Sequence, residues 1–314
     1  RNLSRLGCPV VVVAHDLLPS DTATMDRANV LAIVTEVGGS TSHSAILARA
    51  FGIPAVLGVP DATKALPHDA AVIVDALNGE VLLDPDASAL RLYEQKRADY
   101  QADRRDAARY FAGESRLKDG TPVEIGLNIG ARMDKDAIEV CSFVGLFRTE
   151  FLYMESERLP AEMEQFAVYR AVLEQAKGRP VTLRTLDVGG DKTLPALPLP
   201  KEDNPFLGCR ALRLCLEKRE LFLTQLRAAF RASAYGKLQI MFPMVGSLDD
   251  LRLAKEALEE ARVQLRGQQI PFDEAMPVGI MIEIPSIALV AEAVAAECDF
   301  ASIGTNDLCQ YLHA

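Results

Sequence analysis

The second half of the chain alternates between short apolar runs and helical patterns. We predict strands at Val123–Leu127, Val144–Phe147, Val181–Leu186, Leu238–Phe242, Val278–Ile282 and Phe300–Ile303. Helical patterns separate them at about 135–142, 162–177, 216–233, 248–266 and 286–296. Such alternation implies parallel strands joined by right-handed crossovers. A (β/α)₈ barrel and a doubly wound open sheet both fit this pattern, and about six strands leave the choice open.

The first 87 residues have a different rhythm, with short apolar runs between turn signals. The runs are Val10–Ala14, Val30–Val34, Ala55–Leu57, Ala71–Val74 and Val81–Leu83. Asn78-Gly79 predicts a hairpin between the last two, and 41–51 is the convincing helix. From 88 to 112 charges of both signs alternate, which favours a solvated helix. We therefore predict a small β/α domain at 1–87, a helical linker at 88–118 and a larger α/β domain at 119–314.

Composition excludes several classes of protein. The 314 residues carry a formal net charge of -10, which argues against a nucleic-acid partner. The longest apolar runs, such as 9–14, are too short to cross a bilayer. The six cysteines are scattered through apolar surroundings without a C-x-x-C pair, which predicts buried thiols in a reducing compartment. We expect a cytoplasmic protein.

The segment Gly38-Gly39-Ser40-Thr41-Ser42-His43-Ser44 follows a predicted strand and opens a predicted helix. His43 is thereby placed in a first helical turn, where free backbone N–H groups and the helix dipole favour anions. The same field keeps the imidazole neutral and nucleophilic near pH 7. The hydroxyls of Thr41, Ser42 and Ser44 can orient the ring or hold a transferred phosphoryl group. Taken alone, the motif fits equally well a histidine that merely lies near a helix cap.

A second group of polar residues lies just beyond the predicted strands of the second half. Its members are Arg148, Arg184, Lys192, Arg210, Glu283 and Asp307. The two carboxylates suit Mg²⁺, and the cations suit a small anion that carries phosphate and carboxylate groups. Such a pocket suits phosphoryl transfer, which depends on positioning and charge neutralisation. Each residue alone also fits an ion pair or a helix cap, but their common place after strands favours a shared site.

These motifs together resemble enzyme I of the phosphoenolpyruvate:sugar phosphotransferase system. The resemblance rests on 38–43, 147–151, 184–192, 204–210 and 303–307, in the order and spacing of that family. It implies a swivelling phosphohistidine domain, followed by a TIM-type (β/α)₈ barrel that is truncated after about six strands.

The resemblance also implies roles for particular residues. Phosphoenolpyruvate would phosphorylate His43 at Nε2, leaving pyruvate, and the phosphoryl group would pass to the carrier protein HPr by ping-pong chemistry. Arg148, Arg184, Lys192, Arg210 and Asn306 match substrate-binding positions, while Glu283 and Asp307 match the Mg²⁺ ligands. The family forms homodimers.

The sequence departs from this family at both ends. The resemblance implies a helical subdomain that docks HPr and a barrel that continues past position 314, and we expect neither within these 314 residues. We therefore expect a fragment that phosphorylates HPr poorly by itself. Ser40 stands where many members have arginine.

Two other functions compete with this interpretation. A pyruvate phosphate dikinase or phosphoenolpyruvate synthase shares the Thr-Ser-His motif and the barrel, but it also needs an ATP-binding domain, and no P-loop is visible in the sequence. A non-catalytic phosphocarrier or regulatory module would use the barrel to bind partners. The residues leave open which phosphotransferase paralogue the chain represents.

Overall fold

The computed structural model describes residues 3, 6–17, 25–26, 28–39, 45, 48, 52–111, 115–130, 137–138, 141–154, 158–189, 194, 196–200 and 202–313, with the backbone alone at 107–111. The chain divides into two compact units, residues 1–108 and 109–314. The division falls inside a long helix, within the segment that we predicted as a linker.

The first unit contains a parallel sheet and a hairpin. The strands are β1 Val10–Ala14, β2 Val30–Thr35, β3 Ala55–Val56, β4 Val72–Asp75 and β5 Glu80–Leu83. β1, β2 and β3 pair in that order, and β4 pairs antiparallel with β5. Gly79 adopts a φ of 71° at the hairpin turn, a conformation that glycine reaches without a Cβ clash. The predicted Asn78-Gly79 hairpin is therefore confirmed.

Two helices of the first unit follow β3 and β5. They are α1 Ala62–Ala65 and α2 Ala87–Phe111. Asp86 begins α2, because its carboxylate accepts from the backbone N–H groups of Ser88 (3.0 Å) and Ala89 (2.7 Å). The described side chains of α2 are mostly exposed, which agrees with the predicted solvated helix. The predicted helix at 41–51 lies largely outside the described residues.

The second unit is built on a parallel sheet. Its strands are β6 Gly126–Ile129, β7 Phe143–Arg148, β8 Val181–Arg184, β9 Leu238–Phe242, β10 Val278–Ile282 and β11 Phe300–Ile303. Every strand pairs with its neighbours in sequence, from β6 at one edge to β11 at the other. A doubly wound sheet would reverse its strand order at a switch point, whereas a barrel adds strands consecutively. The unbroken order confirms a curled half-barrel of the TIM type.

Helices follow these strands along the chain. They are α3 Glu150–Met154, α4 Glu162–Gln175, α5 Ala211–Glu217, α6 Arg219–Ser233, α7 Leu248–Gly267, α8 Pro285–Leu289, α9 Ala291–Ala295 and α10 Thr305–His313, with a 3₁₀ turn at Pro205–Leu207. Ser247 caps α7, because its hydroxyl accepts from the Asp250 N–H at 3.1 Å while the Asp250 carboxylate accepts from the Ser247 N–H at 3.0 Å.

The core of the second unit lies between the sheet and its helices. Phe222 of α6 and Phe242 of β9 are fully buried and meet edge to face, with 6.0 Å between ring centroids. Leu226 and Ile240 are also fully buried in this layer. This packing fixes α6 against the sheet.

Several predicted element bounds are wrong. The strand predicted at Val123–Leu127 begins at Gly126, because the Val123 N–H donates to the Ser115 carbonyl (2.7 Å) and not to β7. The strand predicted at Val181–Leu186 ends at Arg184. Lys218, with φ -95° and ψ 63°, separates α5 from α6, where the sequence predicted one helix at 216–233.

Further differences concern shorter features. The predicted helix at 286–296 is divided at Val290 into α8 and α9. All six cysteines are free thiols, but the predicted burial is confirmed only for Cys141 and Cys215: Cys209 and Cys298 are half-buried, and Cys8 and Cys309 are exposed. Within the described residues, the helices are too short or too polar to span a membrane.

Two leucines on α7 test this packing. Leu258 is 2% exposed and Leu253 is 45% exposed, and a change to Ala alters the helix propensity equally at both positions. We expect Leu258→Ala to lower the free energy of unfolding by about 2–5 kcal/mol, through lost burial and a residual cavity. Leu253→Ala should cost less than about 1 kcal/mol. Urea unfolding measures both, and equal losses would contradict the orientation of α7.

Candidate active site

The predicted site residues of the second unit lie at the carboxyl ends of the parallel strands. Arg148 and Arg184 are the last residues of β7 and β8 and are paired in register, so their side chains leave neighbouring strands on the same face. Glu283 directly follows β10, and Asp307 lies in the first turn of α10 after β11. The catalytic residues of TIM barrels come from this edge.

A buried ion-pair cluster occupies the ends of β7 and β8. Arg184 Nη2 lies 2.6 Å from Glu150 Oε1 and 3.0 Å from Asp187 Oδ2. The other oxygen of Asp187, Oδ1, accepts from Arg210 Nη2 at 3.0 Å. All four side chains are buried, with Arg184 6% and Arg210 2% exposed. We call these four residues the arginine cluster.

The charges in the arginine cluster stabilise one another. Burial alone would lower the pKa of the Arg184 guanidinium, but the carboxylates of Glu150, Asp187 and Glu283 outweigh this effect and raise it. The pKa of Arg210 is likewise lowered by burial and raised, on balance, by Asp187. Nε of Arg184 and Nε of Arg210 are buried without a hydrogen-bond partner among the described residues. Buried donors are rarely left unpaired, so both are suited to a ligand oxygen.

The position of Arg210 depends on a close approach between its backbone and that of Gly189. Gly189 has a φ of 103°, and a Cβ at this position would lie 2.6 Å from Cβ of Arg210. Tyr311 of α10 supports the same loop, because its hydroxyl donates to the Phe206 carbonyl at 2.6 Å and lies 3.5 Å from Arg210 Nη1. Sequence reasoning missed Tyr311, which is 101 residues from Arg210 along the chain.

Glu283 has one satisfied oxygen and one unpaired oxygen. Oε1 accepts from the Met244 N–H at 2.7 Å, and Met244 adopts a left-handed φ of 54° that directs this donor. Oε2 is buried and has no hydrogen-bond partner within the described part of the chain. Gly304 lies so close that a Cβ there would be 2.8 Å from Oε2. Because Gly304 has no Cβ, it leaves space for the Glu283 carboxylate.

The protonation of Glu283 depends on its surroundings. Burial raises its pKa to about 7, the Met244 hydrogen bond opposes this, and Asp187 adds to the increase. The Arg184 guanidinium lowers the pKa of Glu283, and the Asp307 carboxylate raises it. The described residues hold no group of three or more Asp, Glu, His or Cys side chains arranged for a metal ion. Glu283 and Asp307 alone fit a hard cation that takes its remaining oxygens from a ligand and water.

The other predicted residues are either exposed or outside the described residues. Arg148 is exposed and has no ion-pair partner among the described residues, and Asn306 is exposed beside Asp307. His43, Thr41, Ser42, Ser44 and Lys192 lie outside the described residues.

Glu36, before the glycine pair that leads to His43, was not predicted from the sequence. Its carboxylate accepts from the Thr63 N–H at 2.9 Å and lies 2.6 Å from Nδ1 of His15. The Thr63 hydroxyl and then His15 lower the pKa of Glu36 to about 2. The end of β2 is thereby tied to the end of β1 and to α1.

Family models match both parts of the chain. The model of the PEP-binding domain of PEP-utilising enzymes matches residues 104–314. The model of their mobile domain matches residues 7–79. The chain therefore belongs to the phosphoenolpyruvate-utilising enzymes.

Within this family, the chain is similar to phosphoenolpyruvate-protein phosphotransferases. That of Geobacillus stearothermophilus is 50% identical over 315 residues, which cover 100% of this chain and 54% of the relative. That of Bacillus subtilis (strain 168) is 50% identical over 317 residues, covering 100% and 55%. That of Staphylococcus carnosus (strain TM300) is 47% identical over 307 residues, covering 97% and 54%. The chain spans about half the length of these curated relatives.

A solved structure also matches part of the chain. A solution structure of an Enzyme I protein is 48% identical and covers 32% of this chain and 41% of its own. Its TM-score of 0.31 is too low to inform the fold.

Asp187 should be the member of the arginine cluster with the largest effect on stability. We expect Asp187→Asn to lower the free energy of unfolding by about 3–5 kcal/mol, because two buried guanidiniums lose their shared counter-charge. The matched control is Glu259→Gln, which breaks the exposed pair with Arg266 and should cost less than about 1 kcal/mol. Urea unfolding at pH 7 compares them. A cost at Asp187 no larger than that at Glu259 would contradict the bridging role.

Proposed function

We propose that this chain carries out the phosphoenolpyruvate half-reaction of a phosphoenolpyruvate-protein phosphotransferase. In this half-reaction the phosphoryl group of phosphoenolpyruvate is transferred to His43, and the whole protein would then pass it to the carrier protein HPr. The observation that carries the proposal is the arginine cluster at the strand ends, with Arg148 in register beside Arg184. The presence of PEP-binding and mobile domains in one chain supports it.

The cations would bind the substrate. Arg148, Arg184 and Arg210, with Lys192, would face the phosphate and carboxylate oxygens, since guanidinium groups match both in bidentate fashion. Asn306 would add a neutral hydrogen bond. The ion pairs of Arg184 and Arg210 fix both guanidiniums before a ligand arrives, which reduces the ordering cost of binding.

Glu283 and Asp307 would hold a Mg²⁺ ion. The unpaired Oε2 of Glu283 supports this ligand pair, as does the position of Asp307 in the first helical turn after β11, the strand that pairs with β10. When bound, the cation neutralises charge on phosphate oxygens during transfer. By holding the cation, these carboxylates would help the guanidiniums to keep the substrate anion in one orientation.

His43 would accept the phosphoryl group at Nε2. The phosphorus–oxygen bond of phosphoenolpyruvate breaks, a phosphorus–nitrogen bond forms, and the enolate left behind takes up a proton to become pyruvate. Thr41, Ser42 and Ser44 would hydrogen-bond the phosphohistidine. The second transfer, to HPr, completes a ping-pong cycle. We further propose that the whole protein is a cytoplasmic homodimer.

Labelling with radioactive phosphoenolpyruvate tests the acceptor. We expect wild-type protein to gain an acid-labile phosphate and His43→Ala to gain none, because the nucleophile is removed. His68→Ala is the control, since His68 is an exposed histidine paired with Asp69 in the same unit. Persistent acid-labile label in His43→Ala would refute the assignment, and labelling from ATP would favour a dikinase-type enzyme.

Titration calorimetry with phosphoenolpyruvate or oxalate, with and without Mg²⁺, tests the binding roles. Arg148→Gln should weaken binding about 10–100-fold, the value of a charge-assisted hydrogen bond, while hardly changing stability. Arg184→Gln should weaken binding and also destabilise the fold, because it leaves Glu150 and Asp187 without their shared cation. Arg252→Gln, on an exposed pair with Glu297, is the control. Unchanged affinity in both site variants would overturn the proposed function.

A further inference from the structure

A buried glutamine lies beneath the arginine cluster. Gln225 belongs to α6 and is 1% exposed. Its Oε1 accepts from the Leu186 N–H at 2.8 Å, and its Nε2 donates to Thr149 Oγ1 at 3.0 Å and to the Tyr169 hydroxyl at 3.2 Å. Gln225 therefore joins a helix to the segments that follow two different strands.

The chemistry of its partners fixes the orientation of this amide. A backbone N–H can only donate, so the oxygen of Gln225 must face Leu186. The Thr149 hydroxyl donates to the Arg184 carbonyl at 2.9 Å, so it accepts from Gln225. The Tyr169 hydroxyl donates to Gln165 Oε1 at 2.9 Å, so it also accepts from Gln225.

Both segments held by Gln225 belong to the site. Thr149 lies between Arg148 and Glu150, and Leu186 lies between Arg184 and Asp187. The Thr149–Arg184 hydrogen bond adds a direct link between the two segments. One side chain thus sets the spacing of residues that would bind the ligand, and the buried amide lies behind them.

Among the described residues, the rest of the network reaches Gln225 only through the Tyr169 hydroxyl. Gln165 accepts from the hydroxyls of Tyr169 and Tyr153 and donates to the Pro160 carbonyl at 2.9 Å. All of these side chains are buried. A buried polar network whose members are paired rigidifies its surroundings, because any displacement leaves a polar group unsatisfied.

We propose that Gln225 is a positioning residue for phosphoryl transfer, acting through Thr149 and Leu186 on Arg148, Arg184 and Asp187. It touches no reacting atom. This inference rests on the proposed function for its kinetic consequence, but its structural consequence, rigid strand-end segments, is independent of any ligand.

Gln165 provides a matched control. It is a buried glutamine of the same network, yet among the described residues its side-chain hydrogen bonds join Tyr153, Tyr169 and Pro160 and reach no strand-end segment of the site. Gln225→Met and Gln165→Met both replace the amide by an apolar chain of similar length. A merely structural role predicts that the two variants behave alike once both are folded.

The first experiment is hydrogen exchange in the full protein without ligand, under conditions where urea unfolding shows every variant folded. We expect Gln225→Met to increase amide exchange at 148–150 and 184–187, and Gln165→Met to leave these segments protected. Equal exchange in the two variants would overturn the positioning role, whether or not phosphoenolpyruvate binds.

The second experiment measures His43 phosphorylation from phosphoenolpyruvate. We expect kcat/KM to fall about 10–100-fold in Gln225→Met, with a contribution from KM, and to stay within about threefold of wild type in Gln165→Met. Thr149→Val should resemble Gln225→Met, and Thr149→Ser, which keeps the hydroxyl, should be closer to wild type.

If wild-type protein neither binds phosphoenolpyruvate nor is labelled, the proposed function fails and the exchange result alone decides the role of Gln225. Equal kcat/KM in both glutamine variants would refute the kinetic role.

Discussion

The arrangement of the site depends on the double ion pair of Asp187. One carboxylate uses one oxygen for Arg184, at the end of β8, and the other for Arg210, the residue before α5. Without that carboxylate, two buried like charges would lie close together in a medium that screens them weakly. Glu150 supplies the second carboxylate on Arg184, at the first turn of α3. The end of β8 and the segment before α5 can approach one another because Asp187 and Glu150 balance the charges of the two arginines.

The scaffold beneath this cluster explains how the loops keep their places. Core packing of Phe222 and Leu226 fixes α6 on the sheet, and Gln225 of the same helix reaches the ends of β7 and β8. Above the sheet, Gly189 admits the backbone of Arg210, and Tyr311 supports its loop from α10. Apolar packing thus sets the position of α6. The hydrogen bonds of Gln225 then hold the ends of β7 and β8 in place.

Much of the fold could be predicted from the sequence. The bounds of β9, β10 and β11 follow from their apolar runs, which are mostly buried in β9 and β10 and partly exposed in the edge strand β11, and the strand-end rule located Arg184 and Glu283. The start of β6 could not be predicted, because Val123 and Ile125 look like strand residues but are partly exposed, and Val123 pairs with Ser115. Gln225 and Tyr311 could not be predicted because their contacts join positions 76 and 101 residues apart. A local sequence pattern does not predict contacts between residues that are so far apart along the chain.

The balance of charge within the arginine cluster has a consequence for ligand selection. The two guanidiniums and two carboxylates of the arginine cluster sum to zero net charge. The cluster therefore attracts a distant anion only weakly. Capture at a distance then falls to exposed cations such as Arg148, whose field is weakened by salt. An anion bound at the proposed site would be recognised by the directions of the remaining N–H groups. The cluster would then discriminate between anions by their shape more than by their charge.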